Sequence, residues 1–204
     1  MTDFTQPPYF WHGEGPYYHQ PPDRLPCCVD HAEKFTLLEK QAGVSVHEAG
    51  HTVAAFLLGV HVPLMGIETT EMERGCGPVM QVTGAVAETA FTGVGRQSAL
   101  TVLAAGVAAE KRWLMHTGLM TEERVFYAER NGRSDCERAQ KLTWDNLGAP
   151  MDIAEYWGHW VHADHLLSPH WNKVIDLAEH MMQGPLSGDR AAAVCGLINP
   201  ATHL

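Results

Sequence analysis

Positive charge is scarce in this sequence. Its 204 residues carry 14 Lys and Arg against 24 Asp and Glu, a formal net charge of -10, and no stretch gathers the cations into a stripe. A phosphate backbone is bound by clustered Lys and Arg, so nucleic acid is not an expected partner. Long apolar runs are missing too. The longest, Val53 to Val60 and Leu100 to Ala109, fall well short of the roughly 20 residues that span a bilayer. The N-terminal stretch Met1 to Pro8 has neither a basic n-region nor an apolar h-region, so no signal peptide is visible. Cysteine is sparse: Cys27, Cys28, Cys76, Cys136 and Cys195 are odd in number, include an adjacent pair and form no CxxC. A disulfide framework is therefore not expected, and a reducing compartment is. These absences together predict a soluble cytoplasmic protein without membrane contact.

What is present is an apolar fraction of 45%, at a length that fits one domain able to bury a core. Residues 1–31 are rich in Pro, Tyr, His and Gly without helical or alternating period, which reads as an extended or disordered N-terminal arm. Residues 32–204 are then the folded domain. Cys27, Cys28 and His31 at the end of the arm invite a second metal site. No matching ligand pair stands elsewhere, so ordinary thiols at a domain edge are the preferred reading.

Inside a helix-favouring run from Val44 to Leu58 stands His47-Glu48-Ala49-Gly50-His51, an HExxH motif. Two helical residues four apart differ by about 40° around the axis and about 6 Å along it, so both imidazoles leave one face, as two ligands on one metal ion must. Glu48 then lies where it can take a proton from a water at the metal's open position. The same residues also allow Ser45-x-x-Glu48 to be a capping box tied to a helix start. Three features favour the metal. Val46, Ala49, Val53, Phe56 and Leu57 form an apolar stripe at helical spacing, adjacent to the histidines. Gly50 costs a helix interior about 1 kcal/mol and so needs a packing or functional reason. Carboxylates in suitable settings follow downstream.

Val62 to Thr70 and Pro78 to Thr83 are short β-type runs, with Glu71 to Gly77 as the loop between them. An edge beside the motif helix could hold a peptide by strand addition; a purely structural hairpin reads equally well. The next helix is predicted over Gln97 to His116, where Leu103, Val107, Glu110 and Leu114 recur on one face. Glu110 is thereby buried and needs a partner, either a ligating histidine that it orients or an internal ion pair. Gly93-Val94-Gly95 precedes that helix without the rest of a nucleotide fingerprint. Arg130-Asn131-Gly132-Arg133 reads as a turn, and Ser134 to Glu137 as a capping box opening a helix with Asp135 in its first turn. The helix dipole favours the ionised carboxylate there, which makes Asp135 a good metal ligand. Asp152 to Leu167, Ser168 to Gln183 and Ser187 to Leu197 have helical composition. His159, His162 and His165 spread over about 120° of one helix, too wide for one metal.

Taken together, His47-Glu48-Ala49-Gly50-His51, the segment Leu103 to Glu110, and Gly132-Arg133-Ser134-Asp135 resemble the peptidase domain of the FtsH-type ATP-dependent proteases. Leu186-Ser187-Gly188-Asp189 is similar, more faintly, to the closing segment of that domain. Ala105 and Val107 stand where the family has a glycine and an arginine, and the chain carries no P-loop and no membrane segment. The resemblance implies a mainly α, zincin-like metallopeptidase domain with a small β-hairpin, free-standing here. It implies Zn2+ as cofactor, Asp135 as third ligand and Glu110 as supporting residue, and in the family a sixfold ring, hence a candidate homo-oligomer.

The expected function is that of a zinc-dependent endopeptidase acting on unfolded or exposed protein segments without ATP. His47, His51 and Asp135 hold the metal, and Glu48 is general base and then general acid. No side chain is identified for the oxyanion. The rivals are a dedicated HExxH peptidase cutting one regulatory protein and a zinc-stabilised interaction module without catalysis.

Overall fold

The computed structural model describes residues 10–11, 16–17, 35–74, 77–86, 91, 93–146, 151 and 153–201. The arm of residues 1–31, with Cys27, Cys28 and His31, lies outside the described residues apart from β1 (Phe10–Trp11) and β2 (Pro16–Tyr17), which pair antiparallel.

Thr36 starts the segment that carries the motif. Its hydroxyl accepts from the Glu39 N–H at 3.2 Å while the Glu39 carboxylate accepts from the Thr36 N–H at 2.7 Å, so two of the helix's orphan donors are satisfied. Helix α1 (Leu37–Leu57) then runs without interruption to Gly59, whose φ of 76° lies in the left-handed region that glycine adopts freely. The capping-box reading of Ser45 and Glu48 is thus overturned: both are mid-helix and buried, and the cap stands nine residues earlier, at Thr36.

The remaining elements follow in chain order. They are β3 (Leu64–Arg74), β4 (Gly77–Val86), α2 (Arg96–His116), α3 (Glu122–Asn131), α4 (Arg133–Asn146), α5 (Ile153–Leu167), a 3₁₀ turn (Ser168–His170), α6 (Trp171–Met181), β5 (Leu186–Ser187) and α7 (Gly188–Cys195). The fold is mainly helical with one small antiparallel sheet ordered β4-β3-β5. β3 and β4 pair in continuous register from Met65↔Val86 to Arg74↔Gly77. The expected loop from Glu71 is therefore mostly strand, because cross-strand partners as far out as Met72↔Val79 and Glu73↔Pro78 keep the ladder going beyond the core.

Helix α1 is the centre of the packing, touched by α2, α6, β3 and β4. Every residue of it from Gly43 to Phe56 is buried, so no face of the motif looks to bulk solvent. Its Val46, Ala49 and Val53 join Leu114 of α2 and Leu177 and Met181 of α6 in one core cluster. Each fully buried large apolar side chain of this kind contributes roughly 1.5–3 kcal/mol. Gly50 has a packing reason: a Cβ there would meet the Ala109 Cβ at 2.6 Å and the Ala105 carbonyl at 2.7 Å, so only glycine lets α1 and α2 cross this closely. Helix α5 closes over α2, with the Tyr156 hydroxyl donating to the Leu103 carbonyl at 3.0 Å and Arg112 pairing with Asp164 at 2.8 Å. Among the described residues no helix is long and apolar enough to cross a membrane.

Candidate metal centre

Helix α1 supplies His47 and His51 from one face, as their spacing requires, and α4 brings Asp135 against them. The Asp135 Oδ2 lies 3.1 Å from His47 Nε2 and 3.3 Å from His51 Nε2. The three ligand atoms lie within 4.8 Å of one another, all on buried residues, and form the only such group among the described residues. Burial opposes the charge on Asp135, but the two histidines beside it hold its carboxyl far below the usual carboxylate range.

The outward nitrogens of the two rings decide what the inner ones can do. His51 Nδ1 lies 2.7 Å from the Val102 carbonyl, which only accepts, so that nitrogen carries the proton. His47 Nδ1 donates to Glu110 Oε2 at 3.0 Å, and Glu110 takes the Asn131 amide on its other oxygen at 3.2 Å. In neutral rings both Nε2 atoms then present lone pairs, and they do so towards a carboxylate oxygen. Three acceptors facing one another are stable only around a cation. One proton meets part of that need: burial works against a charged His47, yet its bonds to Asp135 and Glu110 keep it protonated well above the ordinary histidine range. A metal ion satisfies all three at once, so the residues present fit one.

Their surroundings are shaped to the same point. A Cβ at Gly106 of α2 would collide with Nε2 of both His47 and His51, and one at Gly84 of β4 would strike the Glu48 carboxylate. Gly132, between α3 and α4, makes room for Val107, a residue at which the chain departs from the resembled family. Glu48 is buried beside the ligands. Burial pushes its carboxyl upward, and His51 and His47 pull it part of the way back. Cys136, next to Asp135, is not part of the group; burial and then the Asp135 and Glu137 carboxylates push its thiol up to about 12.

The group opens into a cavity of about 630 Å³. Gln81 to Val86 of β4 line it consecutively, residues of both strand faces alike, so the cavity borders the edge of the strand. β4 is one of the two outer strands of its sheet among the described residues. Arg130, Asn131, Arg133, Ser134, Glu137 and Arg138 of the α3–α4 segment also line it.

All five residues singled out in the sequence, His47, Glu48, His51, Glu110 and Asp135, meet here. The expected capping box over Ser134 does not form in that way: α4 begins one residue earlier, at Arg133, and Glu137 accepts from the Arg133 side chain at 2.8 Å. Asp135 keeps its place in the first turn. Of the three spaced histidines, His159 is buried and bonded to the Thr101 hydroxyl at 3.0 Å, while His162 and His165 are exposed. Asn131, Gly84 and Gly106 were not singled out. The two glycines carried a signal, since a lone glycine inside a helix or strand marks close approach of another group; Asn131 carried none.

No family model matches the chain, and no curated protein is similar to it.

Proposed function

We propose that this protein is a zinc-dependent endopeptidase of the kind its motifs resemble, the FtsH-type peptidase domain, acting on unfolded or exposed polypeptide segments. The observation that carries the reading is the convergence of His47, His51 and Asp135 next to buried Glu48, in a cavity bordered by an edge strand. Two imidazoles and one carboxylate with room beside them suit a catalytic zinc, which keeps a position open, better than a closed structural one. Zinc held there supplies Lewis acidity, lowering the pKa of a water from about 16 towards 7 and polarising a carbonyl oxygen.

The chain's own residues do the rest. An extended peptide adds to β4 through backbone hydrogen bonds, which positions a carbonyl without demanding a particular sequence. Glu48 takes a proton from the attacking water and delivers it to the leaving amine; a carboxyl raised by burial is suited to hold that proton in between. Glu110 and the Val102 carbonyl fix both rings by their Nδ1 atoms, so that each Nε2 is turned inward.

Without a nucleotide fingerprint in the chain, cleavage should need no ATP and should reach only bonds already open. The test is hydrolysis of a permanently unfolded, fluorescently labelled protein by the purified chain without nucleotide. Cleavage that a chelator stops and zinc restores is expected. Equal rates with and without chelator, or strict dependence on ATP, would contradict the reading.

A further inference from the structure

The junction between α3 and α4 reaches His47 from two sides. Asp135, in the first turn of α4, lies 3.1 Å from Nε2 of that ring. Four residues earlier Asn131, the last residue of α3, donates through its side-chain amide to Glu110 Oε1 at 3.2 Å, and Glu110 Oε2 accepts from the opposite ring nitrogen, Nδ1, at 3.0 Å. A carboxylate only accepts, so the NH2 of Asn131 and not its carbonyl faces Glu110. Among the described residues the two oxygens of Glu110 thus have one partner each, on a side chain that is buried. A second contact seats the junction on α2: a Cβ at Gly132 would collide with Val107, one turn before Glu110 on that helix. Gly132 has an ordinary φ of -76°, so space rather than backbone freedom is what it supplies. The two rings are therefore held differently. His51 Nδ1 rests on the backbone carbonyl of Val102, whereas His47 Nδ1 depends on a carboxylate that must itself be aimed.

We propose that Asn131 is a positioning residue of the metal centre: its bond aims the Glu110 carboxylate at His47 Nδ1 and, by tying the α3–α4 junction to α2, sets Asp135 against the same ring from the other side. A buried carboxylate oxygen without a donor costs free energy, so Glu110 turns towards another partner when the amide is removed, and His47 loses its fixed orientation. An imidazole that can turn is a poorer ligand, because its lone pair meets the ion in only one orientation. This inference rests on the metal site of the peptidase reading and not on hydrolysis, so it is tested without a substrate.

The experiment compares Asn131→Leu, which deletes the amide at nearly constant size, with Asn131→Asp, which keeps the size and puts an acceptor in place of the donor. Zinc affinity is measured by competition with a chelator at about pH 7.5, where an aspartate is ionised. The Nδ1–H signals of His47 and His51 are followed by NMR on histidine-labelled protein, metal-free and zinc-loaded. We expect both variants to bind zinc about tenfold more weakly, the lower end of what losing a group behind a ligand costs. The His47 signal should shift or broaden while the His51 signal, tied to the Val102 carbonyl, stays; a general loosening of the fold would move both. In Glu110→Leu protein, where the bond is already gone, adding Asn131→Leu should change affinity by less than about twofold, because the two residues act as one unit. Wild-type affinity with an unmoved His47 signal overturns the proposal. So does restoration by Asp of what Leu loses, which makes size the cause, and so does an equal loss with Glu110 absent. The expected zinc effects without cleavage of an unfolded protein by the wild type leave Asn131 its role and remove the peptidase reading. Zinc-dependent cleavage with no effect of Asn131 does the reverse, and a wild-type chain that binds no zinc removes both.

Discussion

A methyl group added to Gly106 would collide with Nε2 of both His47 and His51, the nitrogens that could hold a metal. Gly106→Ala is therefore expected to lose metal binding and, because the rings or α2 must shift, to lower stability by about 1–3 kcal/mol, the usual range for overpacking a buried site. Metal content after dialysis together with a urea midpoint checks both parts; retention of metal at wild-type affinity would contradict the geometry. Asp135 and Glu110 make a paired test. Asp135 touches both Nε2 atoms, whereas Glu110 holds His47 from behind. Asp135→Ala should release zinc outright, and Glu110→Gln should weaken it by only about 10- to 100-fold. Titration with a competing chelator ranks them, and the reverse order would exchange their roles. His47 and His51 could be read from the sequence because helix geometry alone joins residues four apart. Asp135 is 88 positions away from His47 and was reached through its helix-start setting and the family resemblance. Asn131 meets Glu110 across 21 positions with nothing local to mark it.

Elements were legible where a period ran long enough. The motif helix and α2 show their buried faces at helical spacing; the start of the motif helix was not legible, since its cap is Thr36 rather than Ser45, while a left-handed Gly59 follows its end. What escaped was set by partners rather than by local pattern. The far ends of β3 and β4 are strands because each pairs with the other, and β5 is two residues long, held against Leu64 and Met65. His159 is expected to make the attachment of helix α5 depend on pH. Burial lowers the His159 pKa below the ordinary histidine value, with Glu155 opposing in part. The folded state thus resists a proton that the unfolded chain accepts near pH 6.5. The stabilising contribution is present above about pH 6.5 and is lost as pH falls through the lower folded value. Urea midpoints at about pH 7.5 and about pH 5 should differ less in His159→Gln than in the wild type; an equal difference would remove His159 as a source of that dependence.

At the scale of the whole molecule, a chain of net charge -10 folds around a cavity that gathers three side chains able to hold a metal ion. Among the described residues the small sheet ends at β4 on the side of that cavity, and the helices bury the motif. The most direct measurement of the account is made on Glu48→Gln protein, with bound zinc and hydrolysis of an unfolded substrate determined on the same preparation. The account predicts wild-type zinc content with turnover lower by at least about 10² to 10⁴, because one carboxyl serves both proton transfers. Turnover near the wild-type rate at full zinc loading would contradict it.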